Sequence, residues 1–131
     1  MAQRLPPELE SKVAEAQRLQ EQLNRVVQER VALESEKSEI ERVLKLLEEV
    51  QENEVYRSVG GILVRVSKEK VANELKDRLE LIDIRLEKLR KQENELRKRL
   101  EQLLREIREY QVRLQAGTSV KPEQLGKKGG G

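Results

Sequence analysis

The sequence of 131 residues is 40% charged and 2% aromatic, a composition typical of long helices and coiled coils and too poor in bulky side chains for an ordinary globular core. Its 27 basic and 25 acidic residues are intermixed to a net charge of +2, which predicts neither a nucleic-acid partner nor a membrane surface. Histidine and cysteine are absent, so the usual metal-ligand sets and Ser–His or Cys–His catalysis cannot be assembled, and we expect neither enzyme activity nor a cofactor.

The first predicted element is a coiled-coil helix over residues 7–52, which follows an N-terminal lead of residues 1–6. Pro7 suits the first position of a helix, where its missing N–H group has no partner to lose. From there, apolar residues recur at alternating gaps of four and three, which is the heptad pattern of a coiled coil. Nine of the twelve seam positions are apolar, and the seam consists of Leu9, Lys12, Ala16, Leu19, Leu23, Val26, Arg30, Leu33, Lys37, Ile40, Leu44 and Leu47.

A β-hairpin is predicted over residues 54–66, where the stretch "VYRSVGGILVRV" alternates like two strands around Gly60-Gly61. A two-residue glycine turn places Val59 opposite Ile62 and thereby sorts the side chains onto two faces. One face carries Val55, Val59, Ile62, Val64 and Val66 with Arg57 as its polar member, and the other carries Tyr56, Ser58, Leu63 and Arg65. The alternative is an irregular connector, which the β-branched residues and the glycine pair disfavour.

An isolated hairpin of this kind is marginal in water, because both of its edges are unpaired. Two slim helices cannot cover its apolar face either. We therefore predict that the hairpin is an oligomerisation element which other chains complete. The predicted assembly residues are Val55, Tyr56, Val59, Gly60, Gly61, Ile62, Leu63, Val64 and Val66.

The second coiled-coil helix is predicted over residues 67–115, with Ser67 as its N-cap. Twelve of its thirteen seam positions are apolar, and Glu93 is the exception. The apolar positions are Ala72, Leu75, Leu79, Ile82, Leu86, Leu89, Leu96, Leu100, Leu103, Ile107, Tyr110 and Leu114. Residues 116–131 are rich in Gly and Lys and are predicted to form a disordered tail.

If the hairpin folds the chain back on itself, the two seams stay in register as an antiparallel pair. The predicted neighbours are Leu44 with Leu75, Ile40 with Leu79, Leu33 with Leu86, Leu23 with Leu96, Leu19 with Leu100 and Ala16 with Leu103. The predicted fold class is thus mainly α: a long antiparallel two-helix coiled coil joined by a central β-hairpin.

These features resemble the prefoldin family, and within it the beta-type subunits of archaea. The resemblance covers roughly residues 5–115, from "LPPELESKVAE" through "EVYRSVGGILVRVSKEKVANELKDRLE" to "LRKQENELRKRLEQL". Its most specific part is V-Y-x-x-V-G-x-x-L-V, followed by Lys-Glu and an unbroken heptad run. The resemblance implies an ATP-independent chaperone of two alpha-type and four beta-type subunits, whose hairpins join into a double β-barrel platform. The tips of its coiled coils would clasp unfolded polypeptides and pass them to a group II chaperonin.

Carried onto this chain, the resemblance implies that the two helix ends form a client-binding tip. Its residues are Leu5, Leu9, Val13, Ile107, Tyr110, Val112 and Leu114. Val13 and Val112 lie outside the seam and are free to contact a client. For Leu9 and Leu114, which are seam residues, closing the coil is an equally good interpretation.

The predicted function is therefore a holdase subunit whose partners are an alpha-type subunit, further beta subunits, unfolded polypeptides and a group II chaperonin. The beginning "MAQRLPPELE" lacks the apolar run of a signal peptide, and no stretch reaches the roughly 20 apolar residues of a membrane span, so a cytoplasmic protein is expected.

The alternative function is that of a structural or tethering coiled coil in which the hairpin is only an assembly joint. A tether would bind one folded partner selectively, whereas a holdase would delay the aggregation of unrelated unfolded proteins without ATP.

Overall fold

A computed structural model describes residues 5–119 of the chain. Its elements are α1 (Pro7–Glu49), β1 (Glu54–Val59), β2 (Ile62–Ser67) and α2 (Lys68–Ser119). The predicted fold class is confirmed, since two long helices are joined by a central antiparallel hairpin. The chain divides into two compact units. We call residues 5–25 with residues 93–119 the terminal unit, and Val26–Gln92 the hairpin unit.

A hydrogen bond at the start of each helix marks where that helix begins. In α1, the backbone N–H of Glu10 donates to the carbonyl oxygen of Pro6 at 2.9 Å. In α2, the Ser67 hydroxyl oxygen accepts a hydrogen bond from the backbone N–H of Lys70 at 3.2 Å, the geometry of an N-cap. Ser67 thus caps α2, as its position in the sequence predicts.

The helix ends differ from the predicted bounds at two places. Helix α1 ends at Glu49 rather than at residue 52, because the backbone beyond it is hydrogen-bonded to Lys68 at the base of the hairpin. The backbone N–H of Lys68 donates to the carbonyl oxygen of Asn53, and its Nζ donates to the carbonyl oxygen of Val50. Helix α2 continues to Ser119, so the first residues of the predicted disordered tail are helical. The rest of that tail, residues 120–131, and residues 1–4 of the N-terminal lead lie outside the described part of the chain.

The core of the hairpin unit is the heptad seam between α1 and α2. Ile40, Ile82 and Leu86 form a buried cluster, and Leu33, Leu44, Leu75 and Leu79 pack around it. The cluster holds both members of the three pairs predicted for this unit, as the predicted antiparallel packing requires. The heptad period alone was enough to predict which residues form this core, because a seam of large aliphatic side chains is stabilised when it is buried against the partner helix.

The core of the terminal unit is built in the same way from both helices. Its buried apolar residues are Leu9, Ala16, Leu19, Leu23, Leu100, Leu103 and Ile107. Glu93, the one polar seam position of α2, is buried, and its Oε2 accepts a hydrogen bond from Nη2 of Arg97 at 2.7 Å. Neither described helix contains a stretch long and apolar enough to cross a membrane.

Both lysines on the α1 seam reach acids on α2 rather than entering the core. Nζ of Lys37 lies 2.7 Å from Oδ1 of Asp83 in the hairpin unit. Nζ of Lys12 lies 2.8 Å from Oε1 of Glu106 in the terminal unit. The hydrogen bond from Lys12 and its positive charge lower the pKa of Glu106. These long side chains keep their charge at the edge of the seam, so the charged positions do not interrupt the packing of their neighbours.

Bidentate ion pairs also link the helices outside the seam. Arg78 holds Glu36 through Nε and Nη2 at 2.7 and 2.8 Å, and Arg85 holds Glu29 in the same geometry. These hydrogen bonds lower the pKa of both carboxylates below their ordinary value of 4.5. Paired planar groups of this kind fix orientation as well as attraction.

Acidification is expected to weaken the hairpin unit through these two pairs. Because Glu29 and Glu36 have a lower pKa in the folded chain than in the unfolded chain, they stabilise the fold above about pH 4.5, and the stabilisation is lost as the pH falls through the lowered pKa. Thermal unfolding followed by circular dichroism should show the melting temperature fall with the pH. The variant Arg78→Gln with Arg85→Gln should show a smaller fall, and an equal fall in both proteins would contradict this account.

Candidate assembly and client-binding surfaces

The hairpin turn has the geometry that its two glycines predict. Gly60 and Gly61 have φ angles of +55° and +82°, the left-handed values that a two-residue type I′ turn needs at both central positions. The turn pairs Val59 with Ile62, and the register continues to Val55 with Val66. The predicted register is confirmed, and with it the sorting of side chains onto two faces.

The apolar face of the hairpin is uncovered near the turn. We call Val55, Val59, Ile62, Val64 and Val66 the hairpin face. Ile62 is 68% exposed and Val59 and Val64 are also exposed, whereas Val55 and Val66 at the base are half-buried. The single polar member of this side, Arg57, is drawn to α2, where its Nη2 lies 2.6 Å from Oε2 of Glu74. What remains near the turn is therefore purely apolar and open to water.

The opposite side and the edges of the hairpin are also available. Tyr56 and Leu63 are both exposed on the opposite side. Among the described residues the sheet has two strands, so each strand pairs along one edge only. A row of backbone donors and acceptors on each outer edge is ready to bind a further strand. Face and edges together can accept the hairpin of another chain.

The predicted tip residues divide into a buried and an accessible group. The N-terminal part of α1 and the C-terminal part of α2 lie side by side in the terminal unit, where Leu9 is 1% exposed and Ile107 is buried. Burial of Leu9 favours its role in closing the coil. Leu5 and Val112 are exposed, the latter at 63%. Val13, Tyr110 and Leu114 are half-buried beside them. We call these five exposed or half-buried residues the tip surface.

Sequence reasoning missed several exposed apolar side chains on α2. Leu81 and Ile84 in the hairpin unit are 61% and 60% exposed, and Leu104 in the terminal unit is also exposed. All three lie outside the heptad seam. Their heptad position was the signal that could have found them, since an apolar residue away from the seam has no partner helix to cover it.

This structure is that of a coiled-coil protein built around an exposed β-hairpin. The class is defined by the heptad seam, the hairpin and its open apolar face. The model of a known family, described as prefoldin subunit, matches residues 10–113. The prefoldin subunit beta of Sulfurisphaera tokodaii is 38% identical over 124 residues, which cover 92% of this chain and 99% of that protein. Its counterpart in Saccharolobus islandicus strain L.S.2.15 is 41% identical over 110 residues, which cover 83% of this chain and 87% of that protein.

A solved structure agrees with these relatives. The crystal structure of the prefoldin beta subunit from Thermococcus strain KS-1 is similar to this one with a TM-score of 0.70 at 30% sequence identity, over 83% of this chain and 96% of that chain. The chain belongs to the prefoldin subunit family, whose members are chaperone subunits that assemble as heterohexamers. The resemblance drawn from the sequence is thus confirmed.

Proposed function

We propose that this chain is a beta-type subunit of an ATP-independent holdase that binds unfolded polypeptides in the cytoplasm. The observation that carries the proposal is the exposed hairpin face with its two open edges. Such a surface is a liability in a lone chain and becomes useful once other hairpins cover it. Membership of the prefoldin subunit family supports this assignment.

In the proposed assembly, four copies of this chain combine with two alpha-type subunits. Each contributes its hairpin to a double β-barrel platform, and barrel closure pairs the outer edges of β1 and β2. The hairpin face then lies in the interior of the barrel. Burial of apolar area at about 25 cal/mol per Å² supplies the driving force for the assembly.

The client is held by the tip surface, in which Leu5 and Val112 are the most accessible residues. Each tip offers little apolar area, so a single contact is weak. Several tips on one particle bind the same unfolded chain, and the effective concentration of the later contacts raises the overall affinity. A grip made of weak contacts also lets the client pass on to a group II chaperonin.

Light scattering of an unfolded model protein tests this function. The chain assembled with an alpha-type subunit should delay the aggregation of unrelated unfolded proteins in the absence of ATP. Selective binding of one folded partner, with no delay of aggregation, would contradict the holdase and support the tethering alternative.

Polar substitution of the tip surface is expected to weaken client capture while hexamer size is kept. The variant Val13→Ser with Val112→Ser removes apolar contact area, and we expect a roughly three- to tenfold higher concentration to be needed for the same suppression of aggregation. Val31→Ser is the matched control, because Val31 is an exposed valine of the hairpin unit. Unchanged suppression by the double variant would refute the assignment of these two residues to the tip.

A further inference from the structure

The arginines of α2 differ between the two units in whether they form ion pairs with α1. Those of the hairpin unit are all bonded across to α1: Arg78 to Glu36, Arg85 to Glu29 and Arg90 to Glu34. In the terminal unit, Arg105 and Arg108 are exposed and form no ion pair within residues 5–119. The guanidinium groups of Arg105 and Arg108 are therefore open to an outside group.

Arg105 and Arg108 lie on the same side of α2 as an exposed apolar residue, Val112. Arg105, Arg108 and Val112 follow one another at spacings of three and four, which places them on one side of α2. Together with Glu109 and Arg113 they line a shallow groove. The guanidinium carbon of Arg113 lies 5.5 Å from the centre of the Tyr110 ring, within the range of a cation–π contact. We call Arg105, Arg108, Val112 and Arg113 the arginine groove.

We infer that the arginine groove makes the tip selective for apolar client segments that are flanked by acidic residues. This inference rests on the proposed holdase function and names the class of segment that the tip prefers. Val112 contacts the apolar side chains, and the guanidinium groups of Arg105 and Arg108 bind the flanking carboxylates. Guanidinium groups suit carboxylates because they donate parallel hydrogen bonds in a planar fork.

The charge pattern favours a polypeptide over a nucleic acid. Phosphate backbones are bound by continuous runs of positive charge, whereas Glu106 and Glu109 lie within this segment of α2. A groove with three cations, one acid and a central valine is complementary to a short segment that carries both apolar and acidic side chains. The interaction is exposed, so salt should screen it.

Fluorescence anisotropy of three short labelled peptides tests the inference on the full-length chain assembled with an alpha-type subunit. The peptides share one apolar core and differ in their flanks, which are Glu, Ser or Lys. We expect the Glu-flanked peptide to bind roughly three- to tenfold more tightly than the Lys-flanked peptide at low salt, and the difference to shrink in high salt. The variant Arg105→Gln with Arg108→Gln should bind all three peptides with similar affinity.

The matched control is Arg18→Gln with Arg25→Gln, since these arginines are also exposed in the terminal unit and form no ion pair within the described residues. This control should keep the preference for the Glu-flanked peptide. Equal binding of the three peptides by a wild-type chain that still suppresses aggregation would overturn the arginine groove alone. A chain that neither binds peptides nor suppresses aggregation would overturn the holdase function with it. Binding of single-stranded RNA that Arg105→Gln with Arg108→Gln abolishes, without any peptide preference, would identify a nucleic-acid site instead.

Discussion

Lysine in place of Ile62 and Val64 is expected to prevent this chain from entering a hexamer while its coiled coil stays folded. Both side chains are exposed in the single chain, so the substitution costs little there. In the proposed barrel the same positions are interior, where an uncompensated buried charge costs about 3–5 kcal/mol. Size-exclusion chromatography with light scattering should show the double variant eluting apart from the alpha-type subunit.

Leu81 and Ile84 provide a matched control for this experiment. They are apolar, about as exposed as Ile62, and lie in the same unit on α2. Lysine at both positions should leave assembly unchanged, because they are outside the hairpin face. If the two double variants impaired assembly equally, exposed apolar surface in general, rather than the hairpin, would hold the subunits together.

The substitution Leu86→Ala, in the seam of the hairpin unit, is expected to lower the stability of the fold strongly. Leu86 is fully buried against Ile40 and Ile82. Removing three carbon atoms loses apolar burial and leaves a cavity, so the free energy of unfolding should fall by about 2–5 kcal/mol. Chemical denaturation followed by circular dichroism at constant protein concentration measures the change.

The control for the seam is Leu81→Ala, which makes the same chemical change five residues earlier on the same helix. Leu81 is exposed, so the free energy of unfolding should change by less than about 0.5 kcal/mol. Equal destabilisation by the two substitutions would contradict the seam as the main source of stability, because helix propensity favours Ala over Leu and Leu81 is exposed.

Much of this structure could be predicted because two simple periods govern it. The 3.5-residue repeat is carried by large aliphatic side chains, and residues such as Ile40 and Leu86 can be buried only if that repeat faces the partner helix. The hairpin register follows from Gly60 and Gly61, since a two-residue turn leaves one way of pairing the flanking strands. In both cases local geometry determines the long-range contact.

The C-terminal ends of the two helices could not be predicted, because the residues there tolerate more than one conformation. Gln51 and Glu52 are compatible with a helix, yet bonds from Lys68 to Val50 and Asn53 hold the connection in another shape. Beyond residue 115, Ala116 favours continuation of α2, and Gly117 costs only about 1 kcal/mol in a helix. Such small differences are decided by neighbours that sequence periodicity does not encode.

The accessibility of the tip residues was only partly predictable. The heptad assignment correctly separates Leu9, a seam residue that is buried, from Val112, which is off the seam and exposed. It says nothing about which arginines find a partner. Arg85 meets Glu29 across the coil, whereas Arg105 has no ion-pair partner in the described chain, and this difference depends on the position of acids on the other helix. Side-chain pairing of this kind requires the three-dimensional register.

If the hairpin completes a heterohexamer, the particle that forms has a defined mass. Light scattering should be measured for the chain alone and after mixing with an alpha-type prefoldin subunit. We expect the mixture to contain a particle whose mass equals four copies of this chain and two of its partner. A chain that remains monomeric in both samples would contradict it.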